Sequence, residues 1–244
     1  MNYTLLAAGI LPALVLIYYI WRRDNYQREP VGQLLKGFFF GVLSTAFAGS
    51  IEAFLVALGF VPQNPATWLG AIWDAFAGVA IVEEGVKLFF LWLLLRRNKH
   101  YDEMMDGIVY AVCVGMGFAA AENIGYLVAN INQWQEVAVG RAIFSIPGHF
   151  MFAVAMGYYY SICHFTYASK REKFNVLFIP VLLHGIFDSL LMMANVTPAL
   201  SGLLWLVFVV FCLCLPRMAR RKINKLLEQD RQWKENVWFT IDRQ

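Results

Sequence analysis

Ile81-Val82-Glu83-Glu84-Gly85-Val86-Lys87-Leu88-Phe89-Phe90 is the stretch on which the reading of this chain turns. Two adjacent carboxylates and a lysine interrupt a mostly apolar run from Trp68 to Leu95. Roughly 25 residues are enough to cross a hydrocarbon core of about 30 Å. Ionisable groups at that depth cost at least about 2.5–3.5 kcal/mol each, so they are rare and mark a pathway or a site. The rest of the sequence is read as the scaffold that supplies partners for these three charges.

Composition points the same way. Hydrophobic residues make up 59% of the chain and charged residues 15%, with a mean hydropathy of +0.54. Those values lie outside the range of soluble domains and describe a polytopic membrane protein. The four cysteines, Cys113, Cys163, Cys212 and Cys214, all fall in apolar segments, which argues against a disulfide framework or an extracellular zinc module. The first apolar run has no basic residue before it and no small-residue cleavage site, so it is expected to be a retained helix.

Seven apolar spans can be drawn around the acidic stretch: Tyr3–Trp21, Leu34–Phe60, Trp68–Leu95, Met105–Ala129, Ala142–Phe165, Val176–Ala194 and Ala199–Leu215. The segments after the first, third, fifth and seventh spans are rich in Lys and Arg. The three alternate segments, Val61–Thr67, Asn130–Arg141 and Asn195–Pro198, hold a single arginine. The positive-inside bias then places the N-terminus outside and the C-terminus in the cytoplasm. The expected fold is an all-α bundle of about seven transmembrane helices, with one membrane domain over residues 1–216 and its core at 68–195. Residues 217–244 form a basic tail in which Ile223, Leu226, Leu227, Trp233, Val237 and Trp238 recur among Lys and Arg. That pattern suits either an amphipathic helix on the anionic inner leaflet or a loose tail that only fixes orientation. No internal repeat or Gly-rich phosphate loop is visible, and nothing points to nucleic acid.

Polar groups inside the spans carry the functional reading. Span two holds Glu52, span three Asp74, Glu83, Glu84 and Lys87, and span four Asp106, Glu122 and Asn123. Span five holds His149, and span six His184 and Asp188. Each needs a partner or a polar cavity, because hydrocarbon offers none. At about 1.5 Å per residue, Glu83 falls ~15–20 Å below the outer edge, Glu122 about 10 Å, His149 about 10–12 Å, and His184 and Asp188 about 15 and 9 Å. Five groups from four helices are thus expected in one layer between the midplane and the outer face. Glu52 and Asp74 are assigned structural roles and Asp106 a helix-start role; His100 and His164 are expected to be solvated.

Glu83 and Glu84 point about 100° apart and can border one cavity. Two close carboxylates do not readily ionise together and form a proton-holding pair. Lys87 lies one turn away, suited to pair with one of them; alone, such a trio is equally an interhelical fastener. His184 and Asp188 share a helical face, so the aspartate either orients the imidazole or joins it on a metal. His149 would complete a two-histidine, one-carboxylate set of the kind zinc accepts. Glu122-Asn123 is read either as part of the site or as a polar clamp between helices.

These residues also match a family pattern. Glu83-Glu84-Gly85-Val86-Lys87 fits EExxK, Phe118-Ala119-Ala120-Ala121-Glu122 fits FxxxE, and His149 and His184-Gly185-Ile186-Phe187-Asp188 supply later histidines. Taken in order on successive helices, they resemble PrsW-type intramembrane proteases, relatives of the CAAX-prenyl endopeptidase superfamily. The resemblance runs from about Ile81 to Asp188. It implies a glutamate- or metal-dependent peptidase of the bacterial cell membrane. Its substrate would be a single-span membrane protein such as an anti-sigma factor, cut on its extracytoplasmic side (site 1) to release a stress-response sigma factor. The CAAX branch differs in having a histidine where Glu122 stands and an arginine near Lys87.

Other intramembrane chemistries find no support. The chain lacks His-Glu-x-x-His, and Gly115-Met116-Gly117 is followed by Phe118 rather than aspartate. No serine carries flanking glycines of the rhomboid kind. The expected chemistry is therefore peptide hydrolysis, with Glu83 as general base, Glu84 assisting and held by Lys87, and Glu122 as a further ligand or water-positioner. His149 and His184 would bind a divalent metal, zinc by ligand type, or stabilise the oxyanion, with Asp188 orienting His184. A proton-coupled transporter and a non-catalytic membrane scaffold are the alternatives, since both could use the same buried groups.

Overall fold

A computed structural model describes residues 3–24 and 26–241, with side chains to Glu235. It is helical throughout, with no strand among the described residues. In chain order the helices are α1 (Tyr3–Arg23), α2 (Val31–Ala57), α3 (Trp68–Trp73), α4 (Ile81–Leu95), α5 (Met104–Ala129), α6 (Trp134–Gly140), α7 (Ile146–Phe165), α8 (Lys170–Val196) and α9 (Ser201–Ile241). Among the described residues, six helical stretches are long and apolar enough to cross a membrane: α1, α2, α5, Ile131–Phe165, α8 and Pro198–Glu235.

The expected third span departs from a plain α-helix. Trp68–Leu95 is helical without a break, but Asp74–Ala80 between α3 and α4 is wound as a π-helix. Its sequence, Asp-Ala-Phe-Ala-Gly-Val-Ala, is mostly small residues, which leave room for the wider coil. A second π-helical stretch, Arg141–Ser145, joins α6 to α7. Such stretches are uncommon and cluster at functional sites. Here one lies directly before Glu83-Glu84 and the other directly before His149.

The bundle is built around α5, which is buried almost from end to end. Its small residues set how closely the neighbours approach. A methyl group on Gly117 would strike the backbone of Phe38 on α2, and one on Gly157 of α7 would strike the backbone of Gly107. Close backbone approach at small residues is how helices gain packing energy where lipid gives no hydrophobic drive. Asp106 caps the start of α5 with Glu103, as its position in the sequence suggested.

The tail is helical, and its first turns dock on the bundle. α9 continues unbroken past Pro216, and Leu215, Ala219, Ile223 and Leu226 join the main core. Asp230 accepts the backbone N–H groups of Met104 and Met105 at 2.8 and 2.9 Å, and Lys234 pairs with Glu103. The first part of the apolar stripe, Ile223, Leu226 and Leu227, is therefore spent on the bundle, and the free N–H groups at the start of α5 hold the helix there. Trp233 is exposed, and the side chains of Val237 and Trp238 lie outside the described residues.

Next to this junction is an acidic cluster in which Glu29, Asp102 and Asp106 approach one another and the Tyr110 hydroxyl donates to Glu29. Burial is the main cause that pushes the carboxyls of Glu29 and Asp24 up to about 7. A carboxyl raised on folding contributes stability below its unfolded value and loses it as pH rises through the folded value. Thermal stability should therefore fall between about pH 4.5 and 7, and Glu29→Gln should flatten part of that slope. A melting-temperature series across this range in detergent checks it.

Candidate active site

Glu83, Glu84 and Lys87 all project from the first two turns of α4 and are buried. The Lys87 ammonium donates to Glu83 Oε2 at 3.0 Å and to Glu84 Oε1 at 2.8 Å, and lies 3.3 Å from His149 Nδ1. It also sits 3.9 Å from the centre of the Phe118 ring. The other nitrogen of His149 lies 3.0 Å from Glu122 Oε2. From α8, His184 Nδ1 stands 2.9 Å from Glu84 Oε1 and 3.9 Å from Glu83 Oε2, while its Nε2 is 3.1 Å from Asp188 Oδ2. The two imidazole centres are 5.3 Å apart. All seven residues singled out from the sequence thus form one connected network across α4, α5, α7 and α8.

The network borders a cavity of about 710 Å³ that divides the two adjacent glutamates. Glu83 is in the cavity wall, together with Glu122, His149, His184 and Asp188. Glu84 and Lys87 lie behind that wall, packed toward Leu91, Val114 and Met156. From Glu83 the cavity runs past Tyr126 to Ala129, Gly140 and Trp205, at the end of the bundle away from the basic loops. Phe118, Phe152 and Phe187 supply its apolar lining, and Phe152 stacks on His184 at 5.0 Å.

Two further residues belong to this wall. Arg141, in the second π-helical stretch, bonds Glu122 Oε2 at 2.6 Å and also Asn123, and its guanidinium lies over the Tyr126 ring. Its sequence signal is that it is the single basic residue in the three sparse segments. Glu52, assigned a structural role from sequence, instead faces the cavity, with one buried oxygen lacking a hydrogen-bond donor. Asp74 is half-buried in the π-helical stretch, outside the cavity wall. Asn123 divides from Glu122, since its amide donates to Gly9 on α1 at 3.3 Å and clamps two helices. His100 and His164 are exposed, as expected.

Donor atoms of Glu83, Glu84, His149 and His184 lie within 4.8 Å of one another. Asp188, one of the expected metal ligands, is not in this group, because it faces the opposite nitrogen of His184 from the glutamates. Two imidazoles with two carboxylates are ligand types that zinc accepts. Glu84 Oε2 is buried without a hydrogen-bond partner, as an oxygen reserved for a cation would be. The residues therefore fit a divalent metal, with one condition. The Lys87 ammonium stands within 3.3 Å of three of the four donor residues, so it and a metal would claim the same place.

Gly185 explains how His184 comes so close to α4. A methyl group there would collide with the ring of Phe76 in the π-helical stretch before α4. Gly185→Leu should push α8 away and lower substrate cleavage by ~10²-fold, the effect expected of a reactive group misplaced by about 1 Å. Gly85 has no atom within 4 Å of an added methyl, so Gly85→Ala should leave activity unchanged. A cleavage assay on both membrane-inserted variants compares them.

Comparison with known proteins agrees with this arrangement. Residues 29–215 match the PrsW family of intramembrane metalloproteases. Protease PrsW of Geobacillus kaustophilus is 36% identical over 191 residues, 78% of this chain and 80% of that protein. Protease PrsW of Clostridioides difficile is 35% identical over 196 residues, 79% and 81% of the two chains. Protease PrsW of Bacillus subtilis is 32% identical over 191 residues, 78% and 83%. No solved structure matches the chain. With its apolar helices, its buried Glu-Glu-Lys-His-His network and relatives that span most of its length, this chain belongs to the PrsW family of bacterial multi-pass membrane peptidases.

Proposed function

We propose that this peptidase hydrolyses a peptide bond of a single-span membrane protein at the wall formed by Glu83, His149 and His184. The observation that carries the proposal is the division of the glutamate pair, with Glu83 in the cavity wall and Glu84 behind it. Glu83 takes a proton from the attacking water and returns it to the leaving amine, so the residue ends as it began. Glu84, held by Lys87 and His184, keeps the Glu83 side of α4 and the His184 ring in register. The rings of His149 and His184 share the wall with Glu83, and His184 Nδ1, 3.9 Å from Glu83 Oε2 and bonded to Glu84, would turn its N–H to the oxyanion. Glu122 and Asp188 orient those rings from their far nitrogens. A divalent metal, zinc by donor type, would be held by Glu83, Glu84, His149 and His184, and when bound it would polarise the scissile carbonyl and acidify a water.

The cavity reaches the end of the bundle away from the basic loops. Under the positive-inside bias this is the outer face, with the N-terminus outside and the C-terminus in the cytoplasm. A cut there is a site-1 cut near the extracytoplasmic end of the substrate span, and an anti-sigma factor in a stress-response pathway is the substrate we propose. Mapping the cut by mass spectrometry tests it, using the full chain co-reconstituted with a single-span anti-sigma factor. Cleavage at the outer end of the span is the expected result. A cut at the inner end, or none while the same protein cleaves another span, would overturn this substrate assignment.

A further inference from the structure

Three helices that meet at the basic-loop end border a second polar pocket, open to the surface and far from the glutamates. Tyr158 and Tyr159 of α7, Arg171 of α8, and Arg221, Lys222 and Lys225 of α9 wall a space of about 430 Å³. None of the four cations has a carboxylate within ion-pair distance among the described residues. Glu172, the acid in the same wall, is engaged by the backbone N–H and hydroxyl of Ser169 at 2.7 and 2.9 Å, as the cap of α8. Lys222 is the most constrained of the four. Its ammonium lies 4.1 Å from the centres of both tyrosine rings, and Lys225 lies 5.6 Å from that of Tyr158. Aromatic faces attract an ammonium but leave its N–H groups without an oxygen acceptor. Lys225 also hydrogen-bonds the Tyr158 side chain, but a concave site lined by four cations without a carboxylate partner is chemically matched to a phosphate ester.

Two more features bear on the source of that phosphate. Arg221 and Lys222 also border a neighbouring cavity of about 430 Å³, whose other walls are Cys214, Arg217 and Met218. That space follows α9 back toward its apolar half. Tyr167, Phe174 and Phe178, beside the start of α8, are exposed. An exposed tyrosine at a helix end is typical of the lipid–water boundary, and the exposed Phe174 and Phe178 are apolar enough to meet acyl chains. We propose that the two cavities together bind one anionic phospholipid, its phosphodiester among Arg171, Arg221, Lys222 and Lys225 and its glycerol and upper acyl chain beside Cys214 and Met218. The bound lipid would bridge α7, which carries His149, to α8, which carries His184, from the opposite end of the bundle.

Thermal unfolding of the full chain in detergent tests the site. Added phosphatidylglycerol is expected to raise the midpoint by about 5 °C, as a ligand that binds only the folded state does. Phosphatidylcholine at the same concentration should not. Lys222→Gln and, separately, the exposed Lys225→Gln should each remove at least half of the shift, so the second carries the test if the first fails to fold. Lys99→Gln, an equal charge change in the segment between α4 and α5, should keep it. An equal shift from phosphatidylcholine, or a full shift in both the Lys222 and Lys225 variants, would overturn the proposal. A matching shift from inorganic phosphate alone keeps the anion pocket and overturns the lipid as its occupant.

Discussion

Glu83→Gln is expected to lower substrate cleavage by ~10²–10⁴-fold, the range a positioned general base supplies, while the protein still inserts and folds. The amide keeps the size of the side chain and can still accept a hydrogen bond from Lys87, which lies 3.0 Å from Glu83 Oε2. It cannot take a proton from water. Glu84→Gln should behave differently. Glu84 lies outside the cavity wall and is bonded to both Lys87 and His184. Replacing it weakens the hold on Lys87 and also on His184, which stands 2.9 Å from Glu84 but 3.9 Å from Glu83, so lost stability should accompany lost activity. Breaking one member of a buried ion pair costs about 3–5 kcal/mol. Cleavage rates and melting temperatures measured on both variants separate the two roles. Equal loss of stability in both, or undiminished cleavage by Glu83→Gln, would refute the assignment of Glu83 as base.

The second large effect concerns Lys87. Its ammonium contacts Glu83, Glu84 and His149, which are three of the four residues whose donor atoms converge. A metal at ordinary bond lengths of about 2.0–2.2 Å from those donors would overlap the ammonium. Lys87→Met removes the competing cation and leaves two buried carboxylates uncompensated. This variant is expected to be unstable when metal-free and to bind zinc at least about 10-fold more tightly than the wild type, since affinity rises when a competing occupant is removed. Its melting temperature should then depend on zinc and fall on chelation. Metal content by elemental analysis and melting curves with and without chelator give the answer. A variant that holds no more zinc than the wild type would show that Lys87 does not stand in the metal's place.

Much of the site was legible in the sequence because a membrane makes buried charge conspicuous. Glu83, Glu84, Lys87, Glu122, His149, His184 and Asp188 stand out against apolar spans, and counting the rise per residue placed five of them at one depth. Side-chain direction was not legible. Counting along a helix locates Glu52 on a span but not on a face, and neither it nor Arg141 could be assigned to the cavity without the packing of α2 and α6. Asp188 shows the same limit. Its spacing from His184 allowed either a metal ligand or an orienting partner, and the ring nitrogen it faces is a tertiary fact.

The sequence by itself determined that this chain is a bundle of apolar helices with acids and imidazoles gathered in one layer. Burying unpaired charge in hydrocarbon is too costly for them to be scattered there. Only the tertiary structure decided which glutamate meets the cavity and where α9 docks. Both depend on how helices rotate and wind against each other, through the π-helical stretches at Asp74–Ala80 and Arg141–Ser145 and through Gly117, Gly157 and Gly185. A π-helix changes the facing of every residue after it and leaves no mark in the hydrophobic pattern, because its gain comes from contacts with neighbouring helices.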